Sequence, residues 1–455
     1  MNLNMILLKE LKVGWYIELI KRKFVELLDF IKYSIKYNQL HAKRKINLNI
    51  LLITGGIILM NACVSDGAGE HFKLKKEVTL SDGRPHGLTI NTSSDNGYVI
   101  AGSIASSLAW AARVDSQGKE LWRYLIPKDE RPEGRDLPTS WHASQYKSAV
   151  ILKNGNTLLC GHKETGDDYR TMGLVTRIDR KGQFMDQQLL SPRSGDNLAK
   201  LNYIDQCGAW GDDGYFLAGW VAKDHQNLPN KSPKFGNGSF FWLIALDAEG
   251  NVKWEKLIDK EFSVSSGKLP WQIMKSGDLV FSGAAPSIEI MNGLLPVTGV
   301  IRIDKNGEVK AQRNITGVMQ LVRQPESSSA IRLVPINLNE SGMFLLTLND
   351  DLTDKTIIQI TTKVEFSLNQ AVELQDHSIL LVGHSDFRNP YATLIHFSPD
   401  LHQSSNYIFK PKRQAWWVDD VVLTGISGEV ATVRSVFNDN RRTETKNMLS
   451  FIKIQ

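Results

Sequence analysis

The stretch "DNGYVIAGS" (Asp95–Ser103) recurs in altered form as "DDGYFLAGW" (Asp212–Trp220), more than one hundred residues later. Each copy places an Asn-Gly or Asp-Gly pair before apolar residues, a small residue and a glycine. Such pairs tolerate positive φ and are strong hairpin signals. A hairpin motif that returns along the chain indicates an internal repeat, and this repeat decides the fold.

The pattern apolar-apolar-small-Gly occurs five times, and two degraded copies are predicted to take the same position in their own units. A small residue is expected there because a bulky side chain would hold the inner strands of neighbouring blades apart. The good copies are VIAG (99–102), LLCG (158–161), FLAG (216–219), VFSG (280–283) and LLVG (380–383), and the degraded ones are FLLT (344–347) and VATV (430–433).

A second motif, Asp-x-x-Gly, stands at the end of a later strand in the good units. The Asp carboxylate can accept backbone N–H bonds two residues on, and the Gly supplies a left-handed turn position. Each unit is thus predicted to contain four antiparallel strands, and seven such units predict an all-β, seven-bladed β-propeller. "HFKLKKEVTL" (71–80) is predicted to supply the fourth strand that "MLSFIKIQ" (448–455) leaves missing. The four copies are AARVDSQG (111–118), TRIDRKG (176–182), IALDAEG (244–250) and IRIDKNG (301–307).

The first 62 residues have the features of a lipoprotein signal segment. A basic "HAKRK" (41–45) precedes an apolar run at 50–60, which is too short for a comfortable transmembrane helix, and small Ala62 stands before Cys63. The predicted organisation is an N-terminal extension and signal peptide (1–62), a linker after lipidated Cys63 (63–70) and the propeller (71–455). An uncleaved signal anchor or a buried core segment is the alternative. Residues 1–40 could form an amphipathic helix, although a start site placed too far upstream is favoured.

Charge excludes one class of partner. Residues 1–62 hold ten Lys/Arg and four acids, a local net of +6, which leaves −1 for residues 63–455. A near-neutral body has no electrostatic reason to follow a nucleic-acid backbone, so no nucleic acid is predicted as a partner. Cys160 and Cys207 lie in apolar strand contexts, which favours small buried hydrophobes over a disulfide.

The repeats resemble those of quinoprotein-like and WD40-like propellers, and with the Cys63 motif the chain is similar to bacterial envelope propeller lipoproteins. The resemblance implies an anchor in the cell envelope. Since Val64 follows the Cys in place of Asp, the outer membrane, facing the periplasm, is the expected location. "RVDSQGKELW" is one residue shorter between Asp115 and Gly118 than the turn of quinone-binding members. No cofactor is therefore predicted.

Long connections are expected on one propeller face, where second-to-third and blade-to-blade connections emerge. They are 127–142, 162–171, 191–203, 220–239 and 384–391. Trp, Tyr and Arg are the residues that anchor protein interfaces, so this face is predicted to bind a protein. The alternative for any single Trp is a role filling the gap between blades. The predicted binding residues are Trp141, His142, Tyr169, Arg170, Trp220, His225, Trp271, Arg388, Tyr391, Trp416 and Trp417.

Catalytic motifs are missing from the sequence, which has no Gly-x-Ser-x-Gly, His-Glu-x-x-His, Cys-x-x-Cys or phosphate loop. His162 and His384 fall in units two and six, too far apart to share a zinc ion. Asp419 and Asp420 are adjacent strand residues and are not expected to act as a pair. No catalytic residue and no metal site is predicted.

The leading functional hypothesis is a non-enzymatic, lipid-anchored envelope propeller that binds an envelope or secreted protein, as an assembly scaffold or as an immunity protein against a toxin. The alternative is an envelope enzyme, either carbohydrate-active or a quinone-dependent dehydrogenase, with its site at the axial mouth of the same face.

Overall fold

A computed structural model describes most of the chain after residue 71. The described residues are 72–82, 85–92, 95–104, 108–126, 144–165, 170–192, 198–211, 214–223, 239–258, 269–290, 293–324, 330–338, 343–360, 366–385, 391–401, 404–408, 414–424, 428–438 and 444–454. The predicted extension and signal peptide (1–62) and the linker with Cys63 (63–70) lie outside them.

The described residues form β-strands joined by turns. In chain order the strands are β1 (Phe72–Asp82), β2 (Pro85–Thr92), β3 (Tyr98–Ile104), β4 (Leu108–Val114), β5 (Glu120–Leu125), β6 (Ser144–Ile151), β7 (Thr157–Thr165), β8 (Arg170–Ile178), β9 (Phe184–Leu190), β10 (Leu198–Ala209), β11 (Tyr215–Lys223), β12 (Ser239–Leu246), β13 (Val252–Ile258), β14 (Trp271–Ile273), β15 (Leu279–Ile290), β16 (Gly293–Ile303), β17 (Val309–Thr316), β18 (Met319–Leu321), β19 (Ile331–Pro335), β20 (Asn337–Leu338), β21 (Met343–Leu348), β22 (Asp354–Ile360), β23 (Phe366–Glu373), β24 (Ile379–Ser385), β25 (Tyr391–Phe397), β26 (Ser404–Ile408), β27 (Gln414–Leu423), β28 (Glu429–Asn438) and β29 (Glu444–Ile454).

These strands form seven four-stranded antiparallel blades, which confirms the predicted propeller. Blade 1 is β2–β5, blade 2 is β6–β9, blade 3 is β10–β13 and blade 4 is β14–β17. Blade 5 is β18, β19, β21 and β22, blade 6 is β23–β26, and blade 7 is β27–β29 with β1. Apolar clusters fill the spaces between adjacent blade faces. One, for example, joins Trp122 of blade 1 to Tyr146 of blade 2.

The ring closes through both ends of the propeller chain. β1 pairs antiparallel with β29, from Phe72 opposite Ile454 to Asp82 opposite Lys446. The N-terminal strand therefore completes the blade that the C-terminal strands begin, as the sequence predicted. Closure leaves each face of blade 7 packed against a neighbour, with apolar clusters on both sides.

The two positions of the small-Gly motif have different causes. The small residue faces the next blade, as the sequence suggested, since Cys160 lies against Cys207 of the inner strand of blade 3. The glycine is required within its own blade. A Cβ on Gly161 would lie 1.8 Å from the Gln145 carbonyl oxygen, and one on Gly219 would lie 1.9 Å from that of Tyr203. These carbonyls belong to the inner strand of the same blade, so the crowding lies within a blade and not between blades. Beside each glycine the inner strand bulges, between Tyr146 and Ser148 in blade 2 and between Ile204 and Gln206 in blade 3.

The repeat predicted for blade 5 is placed one strand too early. FLLT (344–347) lies in β21, the third strand, whereas β19 (Ile331–Pro335) is the second strand. The inner strand β18 has three residues and pairs with β19 without a bulge, so no glycine is needed opposite it. The Ser341-Gly342 pair before FLLT, which the predicted repeat would put in the first turn of the blade, falls in the second-to-third connection.

The Asp-x-x-Gly turns form as predicted. Asp115 Oδ1 accepts the backbone N–H groups of Gln117 and Lys119, both at 2.8 Å, and Gly118 has φ +76°. The same turns also join the blades. A Cβ on Gly182 would lie 2.4 Å from the Cβ of Trp122, so the glycine leaves room for a tryptophan of the preceding blade. Trp254 lies against Gly307 in the same way.

Three non-glycine residues take the left-handed position in the turns of blades 5 and 6. They are Leu352 (φ +64°), His377 (φ +67°) and Leu401 (φ +63°). Bulky residues are strained in this region, and both leucines are buried, so their packing offsets the strain. These turns carry no glycine for a sequence pattern to find.

The two faces of the ring differ in their connections. On one face, called the turn face, first-to-second and third-to-fourth connections are mostly five residues long, as at 115–119 and 247–251. On the other, called the long-loop face, the connections include 126–143, 224–238 and 259–270. Three predicted long connections are much shorter than expected. β10 begins at Leu198, the gap between β7 and β8 is only 166–169, and the gap between β24 and β25 is only 386–390.

We expect Gly219→Ala to lower the free energy of unfolding by about 3 kcal/mol or more, since the inner strand must move to admit a methyl group. The measurement is urea unfolding followed by tryptophan fluorescence. Gly211→Ala in the same blade is the control. Its Cβ would meet nothing within 4 Å and its φ is +72°, so only a conformational cost of about 1 kcal/mol is expected. Equal losses in both variants would contradict the steric account.

Candidate functional site: the axial channel and its mouth

Side chains from the inner strands fill the axial channel of the ring. Among the described residues, a cavity of about 20 Å³ lies on the axis, close to the space needed for a single water molecule. Its lining combines amides, a carboxylate, a guanidinium and an indole. The lining residues are Thr89, Asn91, Gln206, Leu269, Pro270, Trp271, Arg323, Gln370 and Asp420.

Hydrogen bonds in this channel join blades that are adjacent and blades that face each other. Asp420 Oδ2 of blade 7 accepts from the Thr89 hydroxyl at 2.9 Å and from the Ile90 N–H at 3.1 Å, both in blade 1. Arg323 of blade 5 reaches across the axis to the Asn91 Oδ1 at 3.5 Å. Its guanidinium also lies 5.4 Å from the centroid of the Trp271 ring. The channel is thereby closed at this level.

Blade 5 is also hydrogen-bonded to blade 6 along the axis. The Arg323 N–H donates to the Ala371 carbonyl, and the Glu373 N–H donates to the Arg323 carbonyl, both at 2.8 Å. Nearer the long-loop face, β20 pairs with β23 and covers part of its inner edge. An exposed strand edge carries unpaired backbone groups, and these contacts satisfy them.

A polar cluster lies between blades 2 and 3. The Tyr203 ring stacks on Trp220 with centroids 4.2 Å apart, and the His162 ring meets Tyr203 edge-on at 4.7 Å. Asp205, the extra residue of the β10 bulge, is 5% exposed and is hydrogen-bonded by Trp220. Its Oδ2 has no hydrogen-bond partner among the residues that the structure describes.

Burial raises the pKa of Asp205 to about 6, while Lys147 and the Trp220 hydrogen bond act in the opposite direction. Such a carboxyl can gain or lose a proton close to neutral pH, which an exposed Asp cannot. Burial also raises the pKa of the nearby Glu164 and Tyr203. The cluster thus gathers titratable groups whose charged forms are disfavoured.

The structure describes the side chains of three of the eleven predicted binding residues. Trp220 is buried in the Tyr203 stack, and Trp271 is half-buried at the axis. Tyr391 is half-buried at the start of β25, at the long-loop end of blade 6. Two of the three therefore lie inside the ring. The side chains of Trp141, His142, Tyr169, Arg170, His225, Arg388, Trp416 and Trp417 lie outside the described residues.

The two histidines and the two aspartates are separate, as expected. His162 lies on β7 of blade 2 and His384 on β24 of blade 6, where burial lowers its pKa. Asp420 faces the channel, whereas Asp419 is the extra residue of a bulge in β27. Among the described residues, no group of three or more His, Cys, Asp or Glu is arranged to hold a metal ion.

Cys160 and Cys207 are free thiols buried between blades 2 and 3, and they are hydrogen-bonded to each other. Their role as small buried residues agrees with the sequence prediction. Within the described residues, no helix is long and apolar enough to cross a membrane.

Sequence reasoning missed Gln206 and Arg323 at the axis and Asp205 in the cluster between blades 2 and 3. Their positions depend on bulges and on the short inner strand of blade 5, which have no pattern in the sequence. The repeat glycine is the one usable signal, because a bulge stands opposite Gly161, Gly219 and Gly383.

Known proteins resemble this chain only weakly. No protein-family model matches the chain, and no curated protein matches it. Solved structures resemble it. A protein of unknown function from Dyadobacter fermentans is 10% identical with a TM-score of 0.47, covering 85% of this chain and 100% of that one.

Two further structures have similar scores. Trypanosoma rangeli sialidase is 9% identical with a TM-score of 0.44, and the match covers 84% of this chain and 60% of the sialidase. The β-propeller domain of the trilobed protease from Pyrococcus furiosus is 9% identical with a TM-score of 0.41, covering 84% and 96%. At these identities and TM-scores the comparisons carry no argument about function.

We expect Asp205→Asn to become more stable relative to the unsubstituted protein as pH rises. The native pKa of Asp205 is raised, so its favourable contribution is present below the unfolded pKa and is lost as pH rises through about 6. The difference in free energy of unfolding between the two proteins should change by about 3 kcal/mol at most between acid and mildly alkaline buffer.

Asp247→Asn is the control with the opposite sign. Although burial opposes it, hydrogen bonds from Asn251 and Glu249 lower the pKa of Asp247. Its contribution is present above the unfolded pKa and is lost in acid. The measurement for both variants is urea unfolding across the pH range. A pH-independent effect of Asp205→Asn would contradict the burial of a charged carboxyl.

Proposed function

We propose that this chain is a lipid-anchored propeller of the bacterial cell envelope that binds a protein partner through its long-loop face. The observation that carries the proposal is the asymmetry of the two faces. Connections of 126–143, 224–238 and 259–270 leave the strands at one end, while turns of mostly five residues occupy the other. Long segments on a rigid scaffold are where recognition is usually found.

The filled channel favours binding over catalysis at the axis. Enzyme and cofactor pockets in proteins usually measure about 300–1,000 Å³. The cavity among the described axial residues is about 20 Å³, Arg323 is hydrogen-bonded to Asn91 across the axis, and Asp420 is hydrogen-bonded to Thr89 of the adjacent blade. A substrate or quinone at this level would have to break those contacts, so the enzyme alternative has little room there.

The position of β1 supports the proposed attachment at Cys63. β1 is the outermost strand of blade 7 and starts at Phe72 on the turn face. Nine residues of chain span at most about 30 Å, so a lipid on Cys63 would hold the turn face near the bilayer. The long-loop face would then point away from the lipid, towards a partner. This arrangement suits a scaffold and an immunity protein equally.

A photo-crosslinking amino acid placed at Trp141 or Arg388, in connections of the long-loop face, should give one discrete crosslinked product in intact cells. The controls place the same amino acid at Lys305 and Gln375, which are exposed in five-residue turns of the other face. The measurement is the pattern of adducts after irradiation and denaturing electrophoresis. Adducts of equal yield from both faces, or none from either, would count against the proposal.

Cys63→Ser should release the protein from the membrane fraction and leave the precursor uncleaved, because the thiol carries the lipid and the cut precedes it. Membrane fractionation and the apparent mass of the product measure this. Cys160→Ser is the matched control, since that thiol is buried in the blade 2–3 core. Unchanged membrane association and size in Cys63→Ser would rule out the lipid anchor.

A further inference from the structure

Two thiols meet across the interface between blades 2 and 3. Cys160 lies on β7, the second strand of blade 2, and Cys207 lies on β10, the inner strand of blade 3. Both side chains are almost completely buried, and the two thiols are hydrogen-bonded to each other. The chain after Cys63 contains no other cysteine. All the thiols of the propeller are therefore gathered at one point.

The backbones that carry these two thiols are also held together. The Ser148 hydroxyl donates to the Cys207 carbonyl at 3.2 Å, and Ser148 is the residue that pairs with Cys160 between β6 and β7. Cys207 Sγ lies 4.0 Å from the carbonyl oxygen of Leu158, two residues before Cys160 on the same strand. Sulfur atoms that are already in hydrogen-bonding contact need only a further approach, to about 2.05 Å, to form a disulfide.

Packing at these two positions does not require a sulfur atom. Ala101 and Ala149 take the equivalent strand positions at the interface between blades 1 and 2, where they belong to one apolar cluster. In blade 3 the position equivalent to Cys160 is held by Ala218. Two cysteines that face each other at one interface, where two alanines suffice at the next, indicate a use for the sulfur atoms.

We propose that Cys160 and Cys207 form a disulfide that joins blades 2 and 3 in the mature protein. The oxidant is another disulfide, of the kind that oxidising compartments supply. One cysteine attacks the oxidant and releases its first thiol, and the second cysteine then attacks the mixed disulfide and releases the other. The two cysteines lose two protons and two electrons, and the oxidant leaves as two thiols. The proposal rests on the proposed function for one point, because the cell envelope would be the oxidising compartment.

The bond has to form while the two blades assemble. In the folded thiol form, burial and then the hydrogen bond with Cys207 raise the pKa of Cys160 well above its usual value. The thiolate is the form that reacts, so the folded pair exchanges slowly with an external disulfide. The same burial keeps reductants away from the disulfide once the ring has closed around it.

The test uses residues 68–455, because Ala68–Gln455 forms one compact unit that contains all seven blades and two of the three cysteines in the chain. The protein is reduced and unfolded in urea, and is then refolded with a mixture of oxidised and reduced glutathione. Alkylation of the remaining thiols and mass spectrometry of proteolytic peptides report the state of each cysteine. We expect peptides linked through Cys160 and Cys207, and a protein lighter by the mass of two hydrogen atoms.

Urea unfolding then compares the bridged protein with the same protein kept reduced. The bridge closes a loop of about 47 residues, so the equilibrium constant for unfolding should be about 100-fold smaller in the bridged form. Cys160→Ala and Cys207→Ala are the matched controls, since Ala101 and Ala149 occupy the equivalent positions. The stability of each control should not depend on glutathione. Circular dichroism establishes that every protein is folded.

Three outcomes would overturn the proposal. One is that both thiols stay reduced after refolding, and another is glutathione bound to each cysteine separately in place of the linkage. The third is a linked protein that unfolds at a lower urea concentration than its reduced form, which would show that the bond strains the interface. Because glutathione supplies the oxidant in this experiment, its failure is independent of the Cys63→Ser result.

Discussion

The contact between a carbonyl oxygen and a glycine, repeated from blade to blade, is the constraint on which this ring depends. In blades 2, 3 and 6 the inner strand places a carbonyl oxygen of Gln145, Tyr203 or Ser367 against the second strand. A Cβ on the glycine that faces it, Gly161, Gly219 or Gly383, would lie at most 2.0 Å from that oxygen. The bulge beside that contact makes room for an extra residue near the axis. One steric requirement therefore shapes the blade, and in blades 3 and 6 the residue that follows the bulge, Gln206 or Gln370, lines the channel.

The tryptophans divide into distinct roles once the ring is assembled. Trp122 and Trp254 fill the spaces between blades by lying on turn glycines, and Trp271 supports Arg323 at the axis. Trp220 belongs to the buried stack with Tyr203. Aromatic content alone is therefore a poor guide to a recognition surface in this protein. The asymmetry in connection length is the stronger argument for the long-loop face.

Much of the fold could be predicted from the sequence because its most constrained positions require glycine. Gly161 and Gly219 mark second strands, and Gly118 and Gly182 mark third-to-fourth turns. The strands of blade 5 could not be placed in this way, since its short inner strand needs no glycine and Leu352 takes the left-handed turn position. The channel could not be predicted either, because the bulge that precedes Gln206, one of the channel residues, has no residue pattern of its own.

The pairing of β1 with β29 also fixes the order in which the protein can be completed. β1 is synthesised early, but its partner strand β29 ends at Ile454. β1 therefore cannot pair until nearly the whole polypeptide has been made. Until the two strands have paired, the outer edge of blade 7 stays open to other chains. A late truncation would leave the ring unsealed at both termini.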